Sequence, residues 1–225
     1  MSRKTTAARF EIGQRTLTAV LTICITLIIL AISSLAIYAI YKATGGLTTS
    51  QTTSKYDNIY NISAILSPDV LVKRGVPQRI IEQKRETCLR YVERNKPLAQ
   101  REEKLYGIPT TITLAQALLE SDAGESRLAR EHNNHFGIKC FSRNCKKEHC
   151  VNYSDDSHKD FFKTFASIEE SYRAHSLLLL KQRYKPLFQL SANDIEGWAR
   201  GLQRAGYATD KRYAEKLMAI VTVLF

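Results

Sequence analysis

The sequence predicts a mostly α-helical globular domain carried behind a single N-terminal membrane-spanning helix. Residues Leu17 to Tyr41 hold no charged side chain. From Gln78 onward, apolar residues recur at helical spacing, with capping residues and glycines between the runs. One stretch, Phe141 to Phe165, breaks that rhythm: it is polar, rich in Cys and His, and has no helical period.

A chain of 225 residues suffices for one domain plus accessory segments. Its 33 basic and 22 acidic residues leave a net charge of +11. Arg3, Lys4, Arg9, Arg15 and Lys42 against Glu11 put +4 in the first 42 residues, which leaves +7 on the remainder. A basic domain suits a polyanion: nucleic acid, a membrane surface or an acidic cell-wall polymer. The sequence contains no nucleic-acid-binding motif, so no nucleic-acid partner is expected.

At ~1.5 Å per residue, the run from Leu17 to Tyr41 is long enough to cross about 30 Å of hydrocarbon. Its threonines can bond back to helical carbonyls, and Tyr38 and Tyr41 sit where an interfacial belt belongs. The run is too long for the apolar core of a cleaved signal peptide. Positive charge is denser before it than just after it, which keeps the N-terminus in the cytoplasm. The expected order is a cytoplasmic tail (1–16), a transmembrane helix (17–41), a linker (42–77) and a folded domain (78–225). That order describes a single-pass protein of the cytoplasmic (inner) membrane whose domain is periplasmic or extracellular. Thr44 to Ser54 is small and polar, as a spacer should be. Tyr56 to Val76, broken by Pro68 and Gly75, supports short helices at most.

Ile80, Ile81, Cys88, Leu89 and Val92 start the first helix of the domain. Pro97 is expected to interrupt it and open a new turn, and Gly107 to cap its end. Pro109, Thr110 and Thr111 then signal the start of a central helix. That helix is apolar around most of its circumference, except for Thr113, Gln116 and Glu120, which share one stripe. A helix of this kind sits in the core and lines a cleft with its stripe. Glu120 lies near the negative end of the helix dipole and is partly buried; both effects raise its pKa, as a general acid requires. From the helix alone, a polar edge paired with Arg127 or Lys139 serves equally well.

The string TLAQALLES, followed by GES, LA and NNHFGIK, resembles the glucosaminidase domain of the family 73 glycoside hydrolases. The likeness continues in order through FFKTFASIEESYRAHS, YKPLF and WARGLQRAGYATDKRYAEKL, from about Tyr91 to Phe225. That family includes cell-wall N-acetylglucosaminidases and the wall-cutting domain of flagellar rod proteins. The resemblance implies a lysozyme-like helical domain with a small β-lobe at about 140–165, and no cofactor. It implies hydrolysis of the β-1,4 bond between N-acetylglucosamine and N-acetylmuramic acid in peptidoglycan glycan strands. Glu120 occupies the family's general-acid position, and Asp122 stands where the family usually has glycine. The second acidic residue of the family comes from the β-lobe. Here Asp155 and Asp156 are the candidates, with Glu148 behind them, and Asp156 is preferred from its spacing to the FFK segment. The usual Thr-x-Glu pattern is absent, and a substrate-assisted mechanism would need no second carboxylate. Tyr207 matches a tyrosine of the family's substrate site. Phe136 and Asn134 are cleft-lining candidates on the same grounds, and Gln116 joins them from the stripe. A non-catalytic cell-wall-binding scaffold, or a muramidase or lytic transglycosylase on the same architecture, are the alternatives.

Outside the apolar run, Cys88, Cys140, Cys145 and Cys150 permit three pairings. A bridge within Cys140 to Cys150 would staple a lobe too small to have its own core. The rival is a zinc site using these cysteines with His149, His135 or His158, but the spacing fits none of the common patterns. Toward the C-terminus, Ser167-Ile168-Glu169-Glu170 forms a capping box before a helix on which His175 reads as a satisfied, packed histidine. Asp194 to Ala205 is a short helix with Trp198 and Leu202 inward. Asp210 to Phe225 closes the fold, with Tyr213, Leu217, Ile220 and Leu224 on one face.

Overall fold

The computed structural model describes residues 25–27, 29–36, 56, 58–141, 149–152 and 161–225. The chain divides into two units, residues 1–55 and Tyr56–Phe225. In the first, residues 25–27 and 29–36 are helical, with Ile25, Leu27, Ile29, Leu30, Ile32 and Leu35 exposed. Ser33 Oγ donates to the Leu30 carbonyl at 2.9 Å, so a hydroxyl is satisfied within the helix itself. The rest of the expected span 17–41 lies outside the described residues. Among the described residues, no helix is long and apolar enough to cross a membrane.

The second unit is mostly helical. Its described helices are α1 (Ser63–Leu66), α2 (Pro68–Lys73), α3 (Gln78–Tyr106), α4 (Thr110–Ser121), α5 (Arg127–His132), α6 (Ile168–Leu179), α7 (Ile195–Arg204) and α8 (Tyr213–Leu224). A 3-10 helix, Gln182–Gln189, follows α6. Strands β1 (Cys150–Asn152) and β2 (Phe161–Lys163) pair antiparallel, with Val151 opposite Phe162, between α5 and α6.

Two expectations are corrected. The linker was expected to run to residue 77, yet the compact unit begins at Tyr56. The reason is burial: Ala64, Leu71 and Val76 pack with Ile80 and Ile81 of α3, and Ile65 joins the main core. Pro97 was expected to interrupt the first helix, yet α3 runs unbroken for 29 residues with Pro97 inside it. The proline ring is exposed, and so is Glu93 one turn earlier. The carbonyl that loses its partner belongs to that solvent-facing turn and can bond to water.

Other local signals act as read. Gly107 caps α3 in the left-handed conformation at φ 74°, its N–H donating to the Glu103 carbonyl at 2.7 Å. Ser167 accepts from Glu170 N–H at the start of α6. Asp194, read only as the first residue of a short helix, caps α7 by accepting from Gly197 N–H. Trp198 and Leu202 are buried as predicted. The core is built around α4, whose Ile112, Leu114, Ala115, Ala117 and Leu118 are fully buried. Across it, Arg173 of α6 grips the buried Glu102 of α3 with Nε at 3.0 Å from both carboxylate oxygens, which fixes α6 in register.

Candidate active site

α4 drives its C-terminal end into the floor of a cleft of about 990 Å³. Its stripe divides on folding. Thr113 and Gln116 are fully buried, and only Glu120 reaches the cleft, half-buried. A left-handed turn follows, with φ of 52°, 59° and 81° at Asp122, Ala123 and Gly124. Gly124 has to be glycine: a Cβ there would come 2.9 Å from the Tyr91 ring. Asp122, in place of the family's glycine, tolerates the conformation as aspartate can. It also acquires partners, its carboxylate accepting from Ile62 N–H at 2.9 Å and from Asn61 Nδ2 at 3.3 Å. The departure therefore ties the segment before α1 to the turn behind Glu120.

A directed chain of hydrogen bonds ends on Glu120. Tyr213 Oη donates to Glu120 Oε1 at 3.0 Å. Gln116 Nε2 donates to Tyr213 Oη at 3.0 Å. Gln116 Oε1 faces His175 Nε2 at 3.1 Å, and since an amide oxygen only accepts, the imidazole proton sits on Nε2. Burial pushes Glu120 up to about 7, while the Tyr213 hydrogen bond and the Lys216 charge pull the other way. Burial holds the Tyr213 phenol well above its usual range, so it remains a donor. Burial lowers His175 to about 3, which keeps it neutral. The Glu120 carboxyl is thus protonated over much of the range below neutrality, with one oxygen held by a fixed donor. This is the arrangement of a general acid.

The other expected site residues fare differently. Tyr207 lines the cleft, its ring 5.6 Å from that of Tyr213, and its buried hydroxyl has no partner among the described residues. Phe136 lines it too and stacks on His175 at 4.0 Å. Gln116 is not at the cleft surface but acts beneath it through Tyr213. Asn134 is turned inward and fully buried. Its Nδ2 donates to the Ile138 and Lys163 carbonyls at 3.0 and 2.9 Å, and its Oδ1 accepts from Ile138 N–H at 3.0 Å. It ties the loop after α5 to β2, because a side chain with both a donor and an acceptor can bond backbone groups of both segments at once. Asp155, Asp156 and Cys145 lie outside the described residues. Tyr213 was read only as part of a packing face and His175 only as a packed histidine. No local pattern marks either one, since their partners lie 93 and 59 residues away.

The β-lobe forms the facing side. A disulfide joins Cys140 to Cys150, closing the loop before β1. His149 Nδ1 lies 3.6 Å from Cys150 Sγ, and the potential ligand atoms of Cys140, His149 and Cys150 fall within 4.8 Å of one another. With the two sulfurs bonded to each other they are not thiolates, the form in which cysteine ligates a metal. Lys139 and Lys163 from the lobe, and Lys181 and Arg183 from the end of α6 onward, line the cleft. Among its described lining residues Glu120 is the one carboxylate.

Residues 96–224 match the family described as glucosaminidase, mannosyl-glycoprotein endo-beta-N-acetylglucosaminidase. The chain belongs to the glucosaminidase family. Among its relatives is the exo-glucosaminidase LytG of Bacillus subtilis, 39% identical over 132 residues, which are 53% of this chain and 45% of LytG. The peptidoglycan hydrolase FlgJ of Escherichia coli K12 is 30% identical over 163 residues, 67% of this chain and 51% of that protein. The chain thus spans about half the length of these relatives. The glucosaminidase fold is also that of the glycoside hydrolase domain of Salmonella typhimurium FlgJ, 30% identical with a TM-score of 0.50 over 60% of this chain and 86% of that one. A peptidoglycan hydrolase from Sphingomonas sp. A1 is 27% identical, with a TM-score of 0.51 over 59% of this chain and 86% of that one.

Proposed function

We propose that this protein is a membrane-anchored peptidoglycan hydrolase. It cleaves the β-1,4 bond between N-acetylglucosamine and N-acetylmuramic acid, with Glu120 as general acid. The observation that carries the reading is Glu120 itself: a half-buried carboxyl on a cleft floor, pushed up to about 7 and held by Tyr213. Protonated, it delivers a proton to the glycosidic oxygen as the bond to the anomeric carbon breaks. The anomeric carbon is then captured either by water activated by a β-lobe carboxylate, Asp156 or Asp155, or by the substrate's own N-acetyl oxygen. Tyr207, whose hydroxyl has no partner among the described residues, orients a sugar or the reacting water.

The names of the relatives support the substrate, LytG as an exo-glucosaminidase and the FlgJ proteins as peptidoglycan hydrolases. So does the charge of the cleft. Lys163, Lys181 and Arg183 have no carboxylate partner among the described residues, and wall glycan carries lactyl and peptide carboxylates. The uncharged run from Leu17 to Tyr41 and the exposed apolar side chains of residues 25–36 support a single-pass anchor, with the enzyme on the outer face of the cytoplasmic membrane.

The test is product analysis on purified peptidoglycan with the full-length chain in detergent, wild type beside Glu120→Gln. The expected products carry reducing-end N-acetylglucosamine and vanish in the variant. Reducing-end muramic acid would make it a muramidase, and an anhydro-muramic product a lytic transglycosylase. Wall binding without any hydrolysis would make it a scaffold. Protease digestion of intact spheroplasts tests the topology, which predicts that the domain is cut from outside.

A further inference from the structure

His175 is a fully buried imidazole stacked on Phe136 at 4.0 Å, with ring planes 16° apart. Its Nδ1 has no hydrogen-bond partner among the described residues. A buried nitrogen left unpaired is unfavourable, and a phenylalanine would stack on Phe136 without that cost. What the imidazole supplies and phenylalanine lacks is the donor at Nε2, aimed at Gln116 Oε1.

That donor decides which way the Gln116 amide faces. An amide can turn end for end at little steric cost, so its orientation is set by its partners. With Oε1 held by His175, Gln116 must present its NH₂ to Tyr213 Oη, which therefore accepts there. The one Tyr213 proton is then left to point at Glu120 Oε1. With the amide reversed, Oε1 would face Tyr213 and take that proton, and Glu120 would lose its donor. We infer that His175 is a positioning residue for Glu120: its Nε2–H fixes the Gln116 amide, and through it the Tyr213 hydroxyl, in the orientation that donates to the carboxyl group. The inference rests on the reading of Glu120 as the acid.

The consequence is a displacement of the pH profile. Tyr213 and Lys216 of α8, Tyr207 before it, and Arg183 and Tyr184 of the 3-10 helix share the surroundings of Glu120. Lys139 and Lys163 face it from the β-lobe. Of all these groups, Tyr213 is the one that the hydrogen bond from His175 reaches, through Gln116; His175 meets Tyr207 only ring to ring, edge-on at 6.1 Å, a contact that phenylalanine keeps. A donated hydrogen bond favours the ionised carboxylate, so its loss raises the pKa of the acid. Because the acid must be protonated, the limb on which kcat/KM falls with rising pH moves to higher pH.

The test measures kcat/KM against pH on solubilised peptidoglycan with the full-length chain in detergent. His175→Phe keeps the stack and removes the donor. The expected result is a basic limb moved up by about half a pH unit or more. In the Tyr213→Phe background, His175→Phe should shift the limb no further. Should His175→Phe fail to fold, as circular dichroism would reveal, Gln116→Met breaks the same chain at the next link and carries the same expectation. A folded His175→Phe or Gln116→Met enzyme with lower thermal stability but an unmoved limb would overturn the inference, since a purely structural histidine predicts that outcome. Activity persisting in Glu120→Gln would instead bring down the reading on which it rests.

Discussion

The two sides of the cleft are built on opposite principles. On one side Glu120 rises from a helix buried along most of its length, and its hydrogen-bond donor, Tyr213, is held by a chain that runs through two further helical side chains, Gln116 and His175. On the other, two strands of three residues each stand on a disulfide and on the inward-turned Asn134. The helical side can hold a carboxyl at a raised pKa because the core around it excludes water and supplies a rigid donor. The β-lobe has too little apolar surface for a core of its own, so covalent and side-chain–backbone ties do that work. The raised carboxyl belongs to the first side. The basic side chains belong to the second side and to the segment that follows α6: Lys139 and Lys163 to the one, Lys181 and Arg183 to the other.

Breaking the helical side should have the largest effect. Glu120→Gln is expected to lower kcat/KM by about 10²–10⁴-fold, the range for a lost acid–base group. The same substitution should stabilise the fold. Glu120 binds its proton more tightly folded, at about 7, than unfolded, near 4.5. Its contribution to stability is therefore full below the unfolded value and is lost as pH rises through the folded one. Glu120→Gln should raise the melting temperature at pH 8 by an amount corresponding to roughly 1–3 kcal/mol, and have little effect at pH 4. Differential scanning calorimetry at the two pH values reads both. Breaking the β-lobe should cost less. Cys140→Ser with Cys150→Ser, or reduction of the bridge, is expected to lower kcat/KM about tenfold while thermal unfolding of the helices changes by only a few degrees.

These two effects also divide what the sequence made legible. The helix carrying Glu120 could be read because its determinants are local: the Pro109 start, the apolar circumference, the stripe, the glycine-containing turn. The caps at Gly107 and Ser167 could be read for the same reason. Pro97 misled because its breaking power depends on whether the orphaned carbonyl faces water, which only the tertiary arrangement decides. Asn134 misled because a polar residue in a loop string can serve backbone or substrate equally well on paper. The roles of Tyr213 and His175 come from pairings between α4, α6 and α8, and no spacing along the chain encodes them. The turn behind the acid shows the same limit: Asp122 read as a departure and proves to be a tie.

Smaller effects sharpen the comparison further. Lys181→Gln with Arg183→Gln should raise KM on peptidoglycan several-fold and flatten its dependence on salt, because screening then has fewer charges to act on. The fall in kcat/KM should be much smaller on a carboxylate-free N-acetylglucosamine oligomer, a ratio read by parallel kinetics on the two substrates. Asp122→Gly loses the bonds to Ile62 and Asn61 but relieves the left-handed strain. The net expectation is a loss of about 1 kcal/mol in stability, measured by urea unfolding, with the pH profile unmoved.

The most direct measurement is kcat/KM against pH for the wild type and Tyr213→Phe, using solubilised peptidoglycan. The expected wild-type profile falls on the basic side with a midpoint near 7, the value to which burial pushes Glu120. Tyr213→Phe should move that limb to higher pH, because the hydrogen bond it removes is one that favours the carboxylate. A basic limb that stays in place in Tyr213→Phe, or a wild-type profile that remains flat from pH 5 to pH 9, would contradict the assignment of Glu120 as the acid.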